Sequence, residues 1–258
     1  MIYEAIRYVV REDIAIVQLN RPDVMNALST QMRAEITHAA RVAAGEARVL
    51  VLTGKGRAFC SGQDLGDSRS IAATDLERTL RDEYVPMVRA IADCRIPTIA
   101  AVNGPAAGAG ANLALAADVV IASETAMFLQ AFARIGLIPD AGGTYWLPRQ
   151  VGFARAMGAA LFAEPIPARQ AADWGMIWEA VPEESFAEAW WQRARSLAAG
   201  PTATYRNIKR ALREGMANDF DKQLLLEAEL QGELGQTYDF KEGVLAFLEK
   251  RDARFEGR

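Results

Sequence analysis

Residues 98–122 read TIAAVNGPAAGAGANLALAADVVIA, and this stretch indicates how the chain folds. It overlaps a segment from Ile96 to Ala117 that carries no charge, and a membrane helix needs about 20 such residues. The tripeptide Asn103-Gly104-Pro105 lies inside it, and proline breaks a helix because it lacks the N–H and clashes with the preceding turn. The stretch therefore predicts a buried strand, a turn, a helix and a second strand, with no membrane span.

Short β-rich runs predict further strands at 14–19 (IAIVQL), 49–53 (VLVLT) and 127–129 (MFL). Ser29 is the predicted N-cap of a helix that runs to about Ala44 and ends at Gly45. Residues 75–92 have the pattern of another helix. Because buried strands that alternate with helices form parallel βαβ units, the predicted fold class is α/β.

The second half of the chain has a mainly helical pattern from about Phe153 onward. The pattern is interrupted near Gly158, Pro165–Pro167 and Trp174-Gly175. A helical tail follows Gly200, with Pro201 near a helix start, where proline is well tolerated. The predicted organisation is a core over residues 1–200 and a C-terminal helical region over residues 201–258.

Composition narrows the class of protein. The chain has 258 residues, of which 51% are hydrophobic and 24% charged, as in globular proteins with a sizeable core. Its net charge of −4 gives no sign of the positive charge that proteins use to bind nucleic acid. The N-terminus MIYEAIRYVVRED is too charged for a signal peptide, and Cys60 and Cys94 have neither a disulfide pattern nor metal-ligand spacing. We expect a cytoplasmic protein with free thiols and no metal.

Two glycine-rich loops each follow a predicted strand, GKGRAFCSG at 54–62 and GPAAGAG at 104–110. Neither fits the P-loop or the dinucleotide-binding fingerprint, so a phosphate cradle is disfavoured. The glycines could serve only the close packing of loop and helix. Alternatively, two loops that approach a ligand closely can aim two backbone N–H groups at one oxygen, with a helix N-terminus favouring the negative charge.

The chain resembles the crotonase (enoyl-CoA hydratase/isomerase) superfamily over nearly its whole length. Three ordered motifs carry the resemblance: Asn20-Arg21-Pro22 with Asn26-Ala27-Leu28, the run from Ala58 to Leu65, and Ala101-Val102-Asn103-Gly104 followed by Gly108-Ala109-Gly110. It implies a spiral of ββα turns with a C-terminal helical trimerisation region, and homotrimers that often pair into hexamers. It also implies an acyl-CoA substrate, no cofactor other than the coenzyme A of that substrate, and stabilisation of a thioester enolate by the backbone N–H groups of Gln63 and Ala109.

The departures from the family pattern bear on the reaction. Family hydratases carry two glutamates, and this chain has Asn112 at the first position and Phe132 at about the second. Hydration needs one group to activate water and another to manage the proton at the α-carbon. With neither acid present, plain hydratase activity is disfavoured, although hydratase remains the alternative function. Asn112 is either a polar contact in the substrate pocket or a helix residue packed near the loop.

An acid occurs where family hydratases have Pro-Gly-Ala-Gly-Gly, because this chain reads Pro139-Asp140-Ala141-Gly142-Gly143. Taken alone, this segment consists of residue types that are common in turns. Residues 131–149, 152–157 and 174–178 resemble the subgroup of bacterial isomerases that act on ring-1,2-epoxyphenylacetyl-CoA in phenylacetate degradation. Related isomerases use a lone acid at this site to move a double bond from position 3 to position 2. The resemblance implies an isomerase with Asp140 as its catalytic acid/base.

One carboxylate suits an isomerisation, because the same group can remove a proton and return it. An ordinary Asp has a pKa of about 3.9 and is a weak base, so an apolar pocket must desolvate it. Phe132, Ile138 and Trp146 are the predicted lining. The family motifs add further pocket candidates: Ala58, Ser61, Asp64, Leu65 and Asn112, with Asp64 expected to fix the loop.

Candidate contacts for the coenzyme A portion follow from the expected entry to the site: Arg21, Ala27, Lys55 and Arg57. In the family a basic residue from a neighbouring subunit also reaches the phosphate, and Lys209, Arg210 and Lys241 are the candidates here.

Two other functions are considered. Chlorobenzoyl-CoA dehalogenases of the superfamily also have an Asp near position 140 but use a histidine where this chain has Arg89, and His38 lies elsewhere, in the predicted first helix. A non-catalytic or RNA-binding protein of the same fold is a third possibility. The acidic balance disfavours RNA binding, and the N–H loops together with an acid disfavour a scaffold.

Overall fold

The computed structural model describes residues 2–66 and 75–258. The described chain forms nine strands, numbered in order: β1 Ile6–Arg11, β2 Ile14–Leu19, β3 Val49–Gly54, β4 Thr98–Val102, β5 Ala106–Ala107, β6 Val119–Ser123, β7 Met127–Leu129, β8 Ile166–Pro167 and β9 Glu179–Val181. They form a large sheet of order β1-β2-β3-β4-β6-β9 and a small sheet of order β5-β7-β8. In the large sheet β1 pairs with β2 antiparallel, and the other neighbouring pairs are parallel.

Helices connect and cover the sheets. They are α1 Thr30–Glu46, α2 Leu76–Thr79, a π-helical turn Leu80–Tyr84, α3 Val85–Ala92, α4 Ala109–Leu115, α5 Gly143–Val151, α6 Phe153–Phe162, α7 Ala168–Asp173, α8 Glu183–Ala199, α9 Thr202–Gly215, α10 Phe220–Leu234 and α11 Tyr238–Glu249, with 3-10 turns at Pro22–Val24 and Ala131–Ile135. Within the described ranges, no helix combines the length and apolarity needed to cross a bilayer.

Successive turns of the chain give one strand to the large sheet and a shorter one to the small sheet. β4 is followed by β5 and β6 by β7, and β5 and β7 pair in parallel. After β3 the chain makes the equivalent contact through Cys60, which forms a parallel bridge with Ala106. The structure therefore has the predicted α/β spiral, and it places the carboxyl ends of β3 and β4 side by side.

Strand β3 is buried on both faces because helices cover the large sheet from two sides. Leu50 and Leu52 pack in a core cluster with residues of α1, α3 and α4. Val49 and Val51 belong to a second cluster on the opposite face, which includes Phe186 of α8. Successive side chains point to opposite faces of a sheet, so both sets of this strand are apolar and the run VLVLT shows no polar alternation.

Several elements depart from the sequence prediction, including helix α5, which begins ten residues before the predicted helical pattern. Ser29 caps α1 as predicted, but the helix continues through Gly45 by one residue. Helix α4 ends at Leu115 rather than Ala117. Helix α6 passes through Gly158 without a break, because a helix-interior glycine costs only about 1 kcal/mol relative to alanine and packing can offset it.

Strand β1 is not evident from the sequence, because only Ile6 of its six residues is buried. A buried carboxylate holds the chain there. Glu35 of α1 accepts hydrogen bonds from the backbone N–H groups of Glu4, Ala5 and Ile6 at 2.8, 2.8 and 3.1 Å. These partners are about thirty residues apart in sequence, so a local pattern cannot reveal them.

Helix α9, the first helix of the C-terminal region, is joined to the core by a mostly buried ion cluster around Asp118. Its carboxylate lies 2.6 Å from Lys209 Nζ and 2.8 Å from Arg213 Nη2. Lys209 also donates to the carbonyl oxygens of Cys94 and Ile96 at 2.7 and 3.0 Å. The division of the chain after residue 200 stays a prediction, but α9 is bound tightly to the body that precedes it.

We expect Asp118→Asn to lower the free energy of unfolding by about 3 kcal/mol, because removing one partner leaves two mostly buried cations without a counter-charge. Urea unfolding would measure the change. The control is Glu229→Gln, which removes an exposed ion pair with Arg210 and should change stability by less than about 0.5 kcal/mol. Equal losses in the two variants would contradict the assignment.

Candidate active site

The two glycine-rich loops are in direct contact at the ends of β3 and β4. A Cβ added to Gly104 would overlap the backbone of Arg57, and one added to Gly54 would overlap Ala58 and Phe59. The side chain of Asn103 joins the loops, accepting from Gly54 N at 2.9 Å. Glycine is needed at these positions because the backbones leave no room for a side chain.

The two predicted oxyanion donors lie on adjacent segments. Gly62 and Leu28 are joined by a backbone hydrogen bond of 2.8 Å, and Asp64 N–H donates to the Leu28 carbonyl at 3.3 Å. In a parallel bridge the residue between these bonds directs its own N–H to the other side, so Gln63 N–H points away from Leu28. A Cβ on Gly62 would lie 3.5 Å from Ala109 N, so the N-terminus of α4 lies next to the residue before Gln63.

Asp140 lies in a tight turn before α5. Ala141 and Gly142 both have positive φ, 48° and 87°, and Gly143 N–H donates to the Asp140 carbonyl at 2.8 Å. The predicted turn is therefore present. The carboxylate Oδ1 is buried and has no hydrogen-bond partner among residues 2–66 and 75–258. An unpartnered buried carboxylate oxygen is costly in a fold and is a common feature of functional sites.

Asn112 fixes the backbone of this turn. Its Nδ2 donates to the Asp140 carbonyl at 2.7 Å, and its Oδ1 accepts from Gln130 Nε2 at 2.8 Å. Asn112 is fully buried, and a Cβ on Gly143 would overlap its amide group. Of the two readings of Asn112, the structure supports the residue packed against the loop, and the expectation of a free pocket contact is wrong because the protein itself uses the amide.

Burial raises the pKa of Asp140 from 3.8 to about 6, and a hydrogen bond from its own backbone N–H opposes the shift. A carboxylate with this pKa is still largely ionised at neutral pH. It is also a stronger base than an ordinary aspartate by roughly 10² in proton affinity. The site thus gives one carboxylate the two properties that proton removal from a carbon acid requires.

Two of the three predicted lining residues lie beside Asp140 and the start of α4. Phe132 is buried, and its ring would contact a Cβ on Gly108 at 3.8 Å. Trp146 Nε1 would lie 2.9 Å from a Cβ on Gly142. Ile138 does not lie there, because it is 77% exposed and cannot desolvate the carboxylate. The local sequence cannot show this, since a hydrophobic residue in a turn is free to point outward.

Most of the candidate pocket and coenzyme A residues on the loops already have hydrogen-bond or ion-pair partners within the protein. Asp64 forms a 2.6 Å ion pair with Arg21, as expected for a residue that fixes the loop, and Arg21 also donates to the Ala27 carbonyl at 2.7 Å. Arg21 and Ala27 therefore have partners within the protein, and both stay predictions as contacts for coenzyme A. Leu65 is 63% exposed rather than enclosed.

The remaining candidates differ in accessibility. Ala58 is buried, and its carbonyl accepts from Asn26 at 2.9 Å. Ser61 is half-buried with its hydroxyl 3.3 Å from the Val24 carbonyl. Lys55 is half-buried and Arg57 exposed on the loop after β3, so both stay predictions as coenzyme A contacts.

The basic residues predicted to contact phosphate from a neighbouring subunit differ in whether the protein already binds their charged groups. Lys209 is wrong as a phosphate contact, because Asp118 and two backbone carbonyls hold its ammonium group. Arg210 is exposed and pairs with Glu214 at 2.8 Å. Lys241 is exposed, and both residues stay predictions.

Neither His38 nor Arg89, the residue at the position of the dehalogenase histidine, belongs to this site. His38 is exposed on α1, where its Nδ1 lies 2.8 Å from the Tyr3 hydroxyl. Arg89 lines a groove of about 760 Å³ between α1 and α3 rather than the Asp140 turn. Across the described ranges, no group of three or more His, Cys, Asp or Glu side chains could hold a metal ion.

Sequence reasoning missed Gln130, Arg33 and Tyr84. Gln130 holds Asn112, and Arg33 donates to the Leu28 carbonyl at 2.5 Å. The buried Tyr84 lies close enough to Asp140 for that carboxylate to raise its pKa, although burial is the larger cause. A glutamine, an arginine and a tyrosine in helical or loop segments carry no local signal that would distinguish these roles.

The fold and this site define an enzyme of the crotonase type. The enoyl-CoA hydratase/isomerase family matches residues 10–258, and the chain belongs to that family. A crystal structure of an enoyl-CoA hydratase from Bacillus anthracis is similar, with a TM-score of 0.91 and 30% identity over 99% of this chain and all of that chain.

Two curated relatives are similar over almost their full length. One, from Rhodobacter capsulatus, is 60% identical over 100% of both chains and is named "Probable enoyl-CoA hydratase". Another, from Escherichia coli, is 44% identical over 96% of this chain and 97% of its own and is named "1,2-epoxyphenylacetyl-CoA isomerase". The names divide between hydration and isomerisation, so the reaction has to be argued from the site.

Proposed function

We propose that this protein is an acyl-CoA isomerase that acts through a thioester enolate, with Asp140 as its only acid/base. The observation that carries the proposal is the partly buried Asp140 carboxylate, whose Oδ1 is buried without a partner among the described residues and whose pKa is raised to about 6. Asn112, which donates to the Asp140 carbonyl, and Phe132 stand at about the two positions where the resemblance places the glutamates of family hydratases. Coenzyme A enters as part of the substrate, and the proposed chemistry uses no separate cofactor.

The reaction can be written for a 3-enoyl-CoA. Asp140 removes a proton from C2, the C2–H electrons pass into the conjugated system, and negative charge gathers on the thioester oxygen. The N–H groups of Gln63 and Ala109 stabilise that charge. Asp140 then returns the proton to C4, and the double bond moves from C3–C4 to C2–C3. The carboxylate ends in its initial state, so one group suffices.

A ring-bearing substrate, 1,2-epoxyphenylacetyl-CoA, is the proposed natural acyl-CoA of this site. The Escherichia coli relative bears the name of that activity at 44% identity. The Trp146 side chain lies against Gly142 in the Asp140 turn, and the Phe132 ring lies against Gly108 before α4. Aromatic rings pack favourably against one another. The 3-enoyl-CoA reaction is proposed as a second activity of the same carboxylate.

Enoyl-CoA hydratase is the second candidate, favoured by the name of the Rhodobacter capsulatus relative at 60% identity. Hydration would require a water activated by one group and a proton supplied at C2 by another. Of the carboxylates in the described part of the site, Asp64 is engaged by an ion pair with Arg21, whereas Oδ1 of Asp140 has no partner. Asn112 is held by Asp140 and Gln130, and Phe132 has no acid. This arrangement disfavours hydration.

A substrate panel tests the proposal. The purified protein is incubated separately with a 3-enoyl-CoA, with 1,2-epoxyphenylacetyl-CoA and with crotonyl-CoA, and products are followed by chromatography and mass. We expect isomerised products of unchanged mass from the first two and little addition of water to the third. Rapid hydration of crotonyl-CoA without isomerisation of either other substrate would replace the proposal by the second candidate.

The rate should depend on pH through Asp140. Because a base must be deprotonated, kcat/KM is expected to rise tenfold per pH unit below pH 6 and to level off above it, with an apparent pKa of about 6. A profile that stays flat between pH 4.5 and 7, with the enzyme still folded by circular dichroism, would exclude Asp140 as the titrating base.

Assembly as a homotrimer or a dimer of trimers is proposed as well. Large apolar side chains are exposed on the C-terminal helices, among them Phe220, Leu225, Phe247 and Leu248, and such patches mark interaction surfaces. Light scattering should give the mass of three or six chains.

A further inference from the structure

Arg33 of α1 is a buried cation beneath the site. Its side chain is 4% exposed and forms a forked ion pair with Glu83, with Nε at 2.9 Å and Nη2 at 2.5 Å from the same carboxylate oxygen. Nη2 also donates to Thr30 Oγ1 at 3.0 Å. A buried guanidinium carries a large desolvation cost, so its retention suggests a specific task.

The third nitrogen of the Arg33 guanidinium bonds to the backbone next to Gln63, a predicted oxyanion donor. Arg33 Nη1 donates to the Leu28 carbonyl at 2.5 Å, and the same oxygen accepts from Asp64 N–H at 3.3 Å. Leu28 N–H donates to Gly62 at 2.8 Å. Leu28 is thus hydrogen-bonded to the residues on both sides of Gln63, and Arg33 is hydrogen-bonded to Leu28.

The same cluster touches the other half of the site. The guanidinium carbon lies 4.8 Å from the centre of the Tyr84 ring, and Nη1 is 3.4 Å from the Tyr84 hydroxyl. Burial and the charge of Asp140 raise the pKa of Tyr84, and the Arg33 charge lowers it. Tyr84 therefore lies in the electrostatic field of both Arg33 and Asp140.

We propose that Arg33 is a positioning residue that, clamped by Glu83, fixes Leu28 and thereby the direction of the Gln63 N–H towards the substrate oxygen. The inference rests on the proposed enolate mechanism, but its geometry concerns the oxyanion donor and not the base. Arg33 does not touch the substrate. Its effect reaches the reaction through the Leu28 carbonyl, the only backbone acceptor that its side chain bonds among the described residues.

The test compares Arg33→Met, which keeps an unbranched apolar stem but removes the charge and the fork, with the parent enzyme. A misplacement of about 1 Å in a catalytic group can cost about 10²-fold. We expect kcat for isomerisation to fall about 10- to 100-fold, with KM changed by less than about threefold, because charge on the oxygen is greatest in the transition state. Arg41→Met, an exposed arginine on the same helix, is the control and should match the parent.

A spectroscopic measurement separates this inference from the proposed function. Acetoacetyl-CoA ionises to an enolate that absorbs in the ultraviolet, and this ionisation needs neither Asp140 as a base nor turnover. The parent and an Asp140→Asn variant should both favour the bound enolate, and Arg33→Met should lose most of that absorbance while butyryl-CoA binding by calorimetry is unchanged. If Asp140→Asn stays active, the base assignment fails while this test still stands.

Arg33→Lys covers the case in which the Met variant does not fold. It keeps the charge opposite Glu83, but its ammonium falls one bond short of the guanidinium tips, so an intermediate loss of kcat and of enolate absorbance is expected. The proposal is overturned if the folded Met variant keeps the parent kcat and enolate absorbance, if only KM changes, or, should the Met variant not fold, if Arg33→Lys equals the parent in both measurements.

Discussion

Asp140→Asn is expected to lower kcat for isomerisation by about 10²–10⁴-fold, the range that general acid/base catalysis contributes. The substitution keeps the size and shape of the side chain, so KM should change little. The acidic limb of the pH profile should disappear with the carboxylate. Steady-state assays with the 3-enoyl-CoA and the epoxide substrate measure both effects, and Asp93→Asn, at an exposed residue, is the control.

The same substitution should stabilise the fold, which separates loss of chemistry from loss of structure. The folded-state pKa of Asp140 is raised from 3.8 to about 6, so the parent loses stability as pH rises from about 4 through 6. Asparagine does not ionise, and its advantage in the free energy of unfolding should reach about 2–3 kcal/mol above pH 7. A variant that isomerises as fast as the parent would remove Asp140 from the mechanism.

Ala109→Pro is expected to lower kcat by about 10²–10³-fold, the cost of losing one oxyanion donor. Proline removes the N–H and places a ring carbon where its hydrogen was, and Ala109 is the first residue of α4, where proline is favoured because that N–H has no partner within the helix. Gly108 precedes it with φ 53° and ψ −128°, a ψ that avoids the clash of the α region with a following proline. The fold should therefore survive, as thermal melting can verify.

The control for this experiment is Ala109→Gly, which keeps the N–H and loses only the methyl group. Its helix cost is about 1 kcal/mol, and its kcat should stay within a few-fold of the parent. Equal losses of kcat in the proline and glycine variants would mean that the site is sensitive to any change at α4 and that the N–H is not a donor.

Sequence patterns predicted the elements that depend on local chemistry. The run VLVLT is a strand buried on both faces, Ser29 caps α1, and the Asn-Gly-Pro turn separates β4 from the next strand. Pro139 to Gly143 forms a turn because Ala141 and Gly142 adopt positive φ. In each case the decisive interaction lies within a few residues, so the order of residues is sufficient.

Side-chain direction and long-range partners were not predictable in this way. Ile138 points to solvent, Lys209 is held by Asp118, and Arg21 is held by Asp64, because partners distant in the chain or the local turn geometry settle these orientations. Asn112 appeared equally suited to a pocket or to packing. Only the contact with the Asp140 carbonyl distinguished the two.

The sequence by itself determined the α/β class and two glycine loops that each follow a strand, and its resemblance to a family added the spiral. The same comparison predicted Asp140 as the acid of a chain that has Asn112 and Phe132 at about the positions of the family's glutamates. The tertiary structure decided what that aspartate can do. Burial without a partner for Oδ1 raises the pKa of Asp140 to about 6, because desolvation depends on every atom packed around the carboxylate. Asn112 and Gln130 then hold the turn from another part of the chain.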